Sequence, residues 1–319
     1  MFYESTRGGL KSISSAEAIK RGIAPDGGLF VPDEEIKMSL DEIGKLVNMN
    51  YQQRAAAILK YYLNDYSDQE IEECVNSAYT LEKFGCKEIA PIKKLTDNIH
   101  VLELWHGPTC AFKDMALQIL PHLLVRAMKK TGETHELVIL VATSGDTGKA
   151  ALEGFRDVDG TRIIVFYPSH GVSEVQKMQM ITQEGKNVNS IGVLGNFDDA
   201  QNGVKAIFTN EKLIDTMVNS GYKFSSANSI NWGRLVPQVV YYFSAYVDML
   251  KGNEISLGDK VNIVVPTGNF GNILAAYYAK RMGLPVNKLI CASNDNNVLT
   301  EFINTGFYNR KREFKRTIS

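Results

Sequence analysis

Cysteine is scarce in this sequence: Cys74, Cys86, Cys110 and Cys291 are scattered through 319 residues, with no C-x-x-C pair and no closely spaced histidine. That spacing excludes a disulfide framework and a zinc knuckle, and reduced thiols fit a cytoplasmic protein. An excess of charge of either sign is missing too, since 35 Lys and Arg face 36 Asp and Glu. Neither nucleic acid nor an acidic membrane surface is therefore the expected partner, and a small or zwitterionic ligand suits the composition better. Long apolar runs are also lacking. The most apolar stretch, Val236 to Leu250, is too short to span a bilayer and carries Asp248, while the N-terminal MFYESTRGGLK has charges where a signal peptide needs an apolar core. No internal repeat or low-complexity tract stands out.

What is present is the composition of a folded chain, 44% hydrophobic and 22% charged, enough for one large domain or two smaller ones. Its character changes near residue 95. Before that point helical patterns dominate, at Tyr51 to Leu63 and Asp68 to Ala78, beside a loop rich in turn formers, Ala24-Pro-Asp-Gly-Gly-Leu. After it, β-branched runs at Glu136 to Ala142, Thr161 to Tyr167, Asn187 to Leu194, Val261 to Pro266 and Leu289 to Ala292 alternate with helical segments. This pattern predicts an α/β architecture with a mostly parallel sheet, in which ligands sit at the carboxyl ends of strands.

Three segments carry chemistry. In the first, Phe112, Ala116, Ile119, Leu120, Leu123, Leu124, Ala127 and Met128 form a helical stripe that must face a core. Lys113 precedes Leu120 by seven residues and Leu124 by eleven, so one continuous helix would point its amine the same way. Two readings stand: a lysine that snorkels out from a helix end, or a desolvated amine serving as a Schiff-base nucleophile. The second segment runs from the strand at 136–142 through Thr143, Ser144, Gly145 and Asp146 into a helix expected near Thr147. Its hydroxyls and backbone N–H groups suit a carboxylate at a positive helix end, and a plain capped turn is the simpler reading. A P-loop is rejected, because Thr143 stands where its first glycine is needed and Ala150 where Ser or Thr is needed. In the third segment, Val264-Val-Pro-Thr-Gly-Asn-Phe-Gly-Asn, Gly268 and Gly271 let N–H groups converge on a phosphate, or simply form a tight turn. No metal is called for.

Together these are the parts of a pyridoxal-phosphate site. His106-Gly-Pro-Thr-Cys-Ala-Phe-Lys-Asp, Ala142-Thr-Ser-Gly-Asp-Thr-Gly-Lys-Ala-Ala and Pro266-Thr-Gly-Asn-Phe-Gly-Asn, in that order, resemble the threonine synthase family of the tryptophan-synthase-like fold (fold type II). Tyr3-Glu-Ser-Thr-Arg-Gly, Pro25-Asp-Gly-Gly-Leu, Phe197-Asp-Asp-Ala-Gln and Ser226-Ala-Asn-Ser-Ile-Asn-Trp-Gly-Arg are similar to that family as well. The resemblance implies an N-terminal helical domain at 1–95, a large cofactor-binding domain at 96–134 and 226–319, and a smaller α/β domain at 135–225. It implies that Lys113 carries pyridoxal 5'-phosphate, that Gly268, Asn269, Phe270, Gly271 and Asn272 hold the cofactor phosphate, and that Thr143, Ser144, Gly145, Asp146 and Thr147 face the amino-acid carboxylate. The implied reaction converts O-phosphohomoserine and water to threonine and phosphate by γ-elimination and β-addition. Arg234 with Asn228, Ser229 and Asn231 is the candidate pocket for the departing phosphate, against a surface or interdomain ion pair for Arg234. Chains of this family run further, and the resemblance is still running at residues 308–312. The expectation is a large domain incomplete at its C-terminus, without the pyridine-nitrogen partner. A related phospho-hydroxyamino-acid lyase, or an inactive truncated remnant, are the other readings.

Overall fold

Side-chain caps set the boundaries of the N-terminal elements. The computed structural model describes residues 1–143, 145–309, 311, 312 and 315; the predicted carboxylate-loop residue Ser144 lies outside the described residues. Strands β1 (Tyr3–Ser5) and β2 (Phe30–Pro32) pair antiparallel around α1 (Ser15–Arg21). The loop between α1 and β2 closes on Asp26, whose carboxylate accepts from Ser5 Oγ at 2.7 Å, Gly9 N at 2.8 Å and Gly28 N at 2.9 Å. Then follow α2 (Leu40–Lys45), α3 (Tyr51–Tyr62), α4 (Asp68–Ala78) and α5 (Leu81–Phe84). Reciprocal capping boxes, Asn50 with Gln53 and Ser67 with Glu70, start α3 and α4 where the sequence predicts them. An antiparallel hairpin, β3 (Ile92–Thr96) with β4 (Ile99–Leu102), runs across residue 95.

The predicted single helix after Thr109 is broken. It forms as α6 (Asp114–Leu117) and α7 (Leu120–Lys130), parted at Gln118 and Ile119. Pro121 is the cause: it has no N–H to give the carbonyl of Leu117, four residues earlier, and its ring would crowd that carbonyl. Lys113 thus sits at the N-cap of α6 rather than inside a long helix.

Four parallel strands follow, β5 (Glu136–Ala142), β6 (Thr161–Pro168), β7 (Val188–Val193) and β8 (Tyr222–Ser226), in the order β7-β6-β5-β8. Helices α8 (Asp146–Phe155), α9 (Glu174–Ile181), α10 (Phe197–Thr209) and α11 (Glu211–Asn219) connect them. Strand β5 lies between β6 and β8 and is buried from Leu137 onward, as an uninterrupted apolar run demands. The expected strands at 261–266 and 289–292 form a separate two-stranded parallel sheet, β9 (Val261–Pro266) with β10 (Val286–Ala292).

Helix α12 (Trp232–Lys251) is the spine of the molecule. It is buried from Trp232 to Ser244 without a break and packs on α3, on α6 and on α13 (Gly271–Met282), which precedes β10; α14 (Val298–Thr305) comes last. The apolar stretch at 236–250 is therefore a core helix, and among the described residues no helix is long and apolar enough to cross a membrane. Around its first turn the Trp232 ring meets Tyr3 and Tyr62 at 5.5 Å and Tyr278 at 5.3 Å between centroids.

Helices α6 and α8 touch through backbone. A Cβ built on Gly154 would stand 2.2 Å from the Leu117 carbonyl oxygen, the same carbonyl that Pro121 leaves without a helical donor. Gly154→Ala is expected to destabilise the fold by about 1–3 kcal/mol, reversing the ~1 kcal/mol that alanine ordinarily gains in a helix. Urea unfolding followed by circular dichroism measures this, and an equally stable variant would show that the two helices have room to part.

Candidate active site

Lys113 is aimed by its own neighbour. Asp114 is fully buried, and its carboxylate accepts from the Thr109 backbone N–H and hydroxyl, both at 2.8 Å. Burial raises the Asp114 carboxyl and these two bonds pull it back in part. Gly107 has to be glycine here, because a Cβ would come within 2.4 Å of the Asp114 Cβ. The chain then turns through Cys110 at φ 55° and delivers Lys113 to the start of α6. Its side chain is only 15% exposed, with Nζ 2.8 and 2.9 Å from the two oxygens of Asp146 and 4.6 Å from the centre of the Phe112 ring. Burial pushes the Lys113 ammonium below the usual lysine range, and Asp146 restores part of the loss. This is the desolvated amine of the sharper sequence reading, not a snorkelling one.

Asp146 opens α8 just past the carboxyl end of β5. The turn before it is organised by Thr143, whose buried hydroxyl oxygen accepts from Gly145 N and Gly148 N, each at 3.0 Å, and lies 3.0 Å from the Gly145 carbonyl. Thr143 therefore shapes the loop from within instead of offering its hydroxyl to a ligand. Gly145 lies against Gln176, and Thr147 is partly buried at the same helix end. Because α8 begins at Asp146, the N–H groups of Asp146 and Thr147 have no intrahelical acceptor, while that of Gly148 is taken by Thr143.

Residues 268–272 join β9 to α13. The left-handed positions are Gly268, at φ 46°, and Phe270, at φ 65°; Gly271 needs no left-handed backbone. A Cβ on Gly271 would meet the Ser229 Cβ at 3.7 Å, ordinary contact, and one on Gly268 would meet nothing within 4 Å. Asn269 is exposed beside them. Phe270 caps α13 without a side-chain bond, so the N–H groups of Gly271, Asn272 and Ile273 head the helix with no intrahelical acceptor. Asn272 Oδ1 is held by the hydroxyls of Tyr241 and Tyr242 on α12, residues that no motif in the sequence singles out.

The group at 228–234 divides. Asn228 clamps β5, its Nδ2 donating to the Ala142 carbonyl at 2.8 Å and its Oδ1 accepting from Ala142 N at 3.2 Å. Asn231 is buried; its Nδ2 donates to Ser226 O at 2.8 Å and Ile19 O at 3.1 Å, and its Oδ1 caps Gly233 N at 2.8 Å. That uses the whole Asn231 carboxamide, which corrects the expectation that it lines a phosphate pocket. Ser229 stays beside Gly271. Arg234 is 2% exposed and forms no salt bridge with a described residue, so the surface ion pair is corrected as well. Nη1 donates to Ala227 O at 2.7 Å, while the buried Nε has no partner. Burial pushes the Arg234 guanidinium down to about 10, with the Asp146 charge opposing.

A cavity of about 710 Å³ opens elsewhere, at the amino ends of β5 and β8, lined by Leu137, Lys223, Phe224, Phe208 and Met217. Lys113 does not line it, and its Glu133 is already bonded to Lys223 and His135. Asp146 and Arg234 do not line it either.

A buried lysine paired to the first residue of one helix, a half-bonded arginine and a left-handed turn heading a second helix, on parallel sheets, are the arrangement of the fold-type-II pyridoxal-phosphate class. The family model described as "Pyridoxal-phosphate dependent enzyme" matches residues 86–319, and "Threonine synthase N terminus" matches residues 2–79. Threonine synthase-like 1 of Pongo abelii is 46% identical over 314 residues, which are 95% of this chain and 42% of that protein. The structure of pyridoxal-phosphate-bound threonine synthase from Brucella melitensis superposes with a TM-score of 0.87 at 39% identity, over 99% of this chain and 65% of that one. Threonine synthase from Escherichia coli gives a TM-score of 0.83 at 30% identity, over 98% and 68%. The chain belongs to the threonine synthase family. It spans less than half the length of the first relative and about two thirds of the two solved chains.

Asp146→Asn removes the one group that supports the Lys113 charge at contact distance. Burial, aided by the Arg234 charge, is then opposed only by the weaker pull of Asp114, so Lys113 is expected to lose its proton at lower pH than in the parent. Peptide-resolved labelling with an amine-selective reagent across pH measures the midpoint, and an unchanged or higher midpoint would contradict the pairing.

Proposed function

We propose that this chain performs threonine-synthase chemistry, taking O-phosphohomoserine and water to threonine and inorganic phosphate. The observation that carries the proposal is the Lys113 amine, withdrawn from water, paired to Asp146, and near a buried guanidinium with an unpartnered Nε. Pyridoxal phosphate suits these residues: a desolvated amine can hold its carbonyl carbon, and the left-handed turn at 268–272, with the N–H groups of Gly271 and Asn272 heading α13, can hold its phosphate. When bound, it supplies the electron sink that lets negative charge develop on the amino acid's carbons.

The chain's own groups do the rest. Lys113 Nζ, free and neutral, takes the α-proton, and burial favours that neutral form. Asp146 holds the ammonium state between proton transfers. The N–H groups of Asp146 and Thr147 at the start of α8 receive the substrate carboxylate, with the Thr147 side chain beside them. Arg234, through its unpartnered Nε, and Ser229 replace the larger pocket first expected for the departing phosphate, with Asn228 and Asn231 supporting the loop from behind. The proposed domains are a helical one ahead of the β3–β4 hairpin, which crosses the boundary first expected at 95, a smaller one at 135–225 and a large one at 226–319 that also takes the segment carrying Lys113; a cytoplasmic setting accords with four free thiols.

A second reading, elimination of phosphate ending at the keto acid, draws on one observation: the 46% relative is named threonine synthase-like. Product analysis separates the two. Phosphate release matched by threonine supports the proposal; phosphate with keto acid favours the second reading; no release by the cofactor-loaded chain contradicts both.

The nest makes its own prediction. Gly268→Val forces a branched residue into a left-handed conformation and is expected to weaken cofactor binding at least about tenfold, or about 1.4 kcal/mol. Gly271→Ala, with space for its methyl group in the free protein, tests how closely the phosphate approaches. Parallel absorbance titrations and urea melts decide the matter: stability losses as large as the affinity losses would reduce the loop to a structural turn.

A further inference from the structure

Two buried phenols converge on one oxygen at the start of α13. Tyr241 is fully buried and Tyr242 is 5% exposed, with ring centroids 4.7 Å apart. Both hydroxyls meet Asn272 Oδ1, Tyr242 at 2.6 Å, and the Tyr242 hydroxyl also lies 3.1 Å from the Asn272 carbonyl. Tyr241 reaches Gln238 Oε1 as well, at 3.2 Å, and Gln238 Nε2 donates to the Arg234 carbonyl at 2.8 Å. Residues 234, 238, 241 and 242 fall at i, i+4, i+7 and i+8, one face of a helix. A single face of α12 thus presents Arg234 to one end of the site and the phenol pair to the other.

Hydrogen-bond chemistry fixes the direction of the carboxamide. A phenol in a dry site has to donate its proton or leave it unsatisfied at a cost of about 1–3 kcal/mol. Burial also pushes both tyrosines well above their usual range, so they remain donors at every physiological pH. Each phenol has a second, longer contact, to Gln238 Oε1 or to the Asn272 carbonyl, but both lie nearer the Asn272 side chain, at separations that suit O–H···O and are too short for an amide N–H, so the two donors fill the two lone pairs of one carbonyl-type oxygen. Oδ1 therefore faces α12, and Nδ2, which has only protons to offer, faces away from the tyrosines.

We propose that Tyr241 and Tyr242 are positioning residues that lock the Asn272 carboxamide with Nδ2 toward the 268–272 nest, adding a side-chain donor to the backbone N–H groups there. The part of this that concerns phosphate rests on the function proposed above; the clamp itself does not. Its role explains why two adjacent tyrosines, rather than phenylalanines, occupy a core helix where only ring area would otherwise count.

The test uses Tyr241→Phe, Tyr242→Phe and their combination, which keep both rings, together with Asn272→Ala and Asn272→Asp. In the cofactor-free protein labelled with 15N-asparagine, the side-chain NH2 pair that disappears in Asn272→Ala is expected at a single dispersed position. It should broaden or move to the unstructured position in the double tyrosine variant. In pyridoxal-phosphate titrations the double variant and Asn272→Ala should each weaken binding about tenfold, and combining them should add little. Asn272→Asp keeps the acceptor for the tyrosines but puts a carboxylate oxygen where Nδ2 stood, so it should bind more weakly than Asn272→Ala. An NH2 pair unmoved by loss of both hydroxyls, additive losses, or Asn272→Asp binding as well as the parent would each overturn the proposal. Should the combined variant not fold, Tyr242→Phe alone carries the same comparison. A parent chain that takes up no pyridoxal phosphate would sink the proposed function, and the NH2 measurement would still decide the clamp.

Discussion

The approach of α8 to α6 is the constraint on which the site depends. Lys113 begins one helix and Asp146 the other, and their charges meet only because Gly154 lets α8 rest on the Leu117 carbonyl. A side chain of any size at 154 would move the helices apart. The sequence features behind this contact are unrelated in appearance: a proline that interrupts a helix and frees a carbonyl, and a glycine in the third turn of another helix that accommodates it. Neither has chemistry of its own, yet together they set the separation of the two groups that do.

Burial then gives the pair its character. In water a lysine is protonated across the whole neutral range, and an amine that must act as a base would be idle. Here desolvation disfavours the ammonium and Asp146 favours it, so the proton is held against two opposed forces of the same site. Arg234 adds a second cation at full burial, with an unpartnered nitrogen. Asp146 is the carboxylate that acts on both cations, with the buried Asp114 adding a weaker pull on Lys113. On the far side, α12 ties the arginine and the 268–272 loop to one rigid rod.

Legibility followed burial and local chemistry. Strands β5 and β9 were readable to the residue because their β-branched runs end in turn formers, and α4 because its capping box is written in sequence. Strand β8, Tyr-Lys-Phe-Ser-Ser, carries no β-branched residue and was not among the expected strands; pairing with β5 makes it a strand. The break between α6 and α7 was available from Pro121 but hidden by an unbroken apolar stripe. Lys113 came out buried all the same, for a different reason: the Thr109–Asp114 clasp turns it inward. Asn228 and Asn231 looked like ligands because polar residues cluster there, whereas their carboxamides serve backbone groups of the neighbouring strands and helix. The Tyr241–Tyr242 pair was invisible in sequence because tyrosines on an apolar face read as core.

The central claim is that Lys113 is the amine that holds the cofactor. Borohydride reduction of the protein saturated with pyridoxal phosphate, followed by proteolysis and mass mapping, tests it in one step. The account predicts a pyridoxyl group on the peptide containing Lys113 and none in Lys113→Ala; stoichiometric labelling of Lys149 or any other lysine, with Lys113 unmodified, would contradict it.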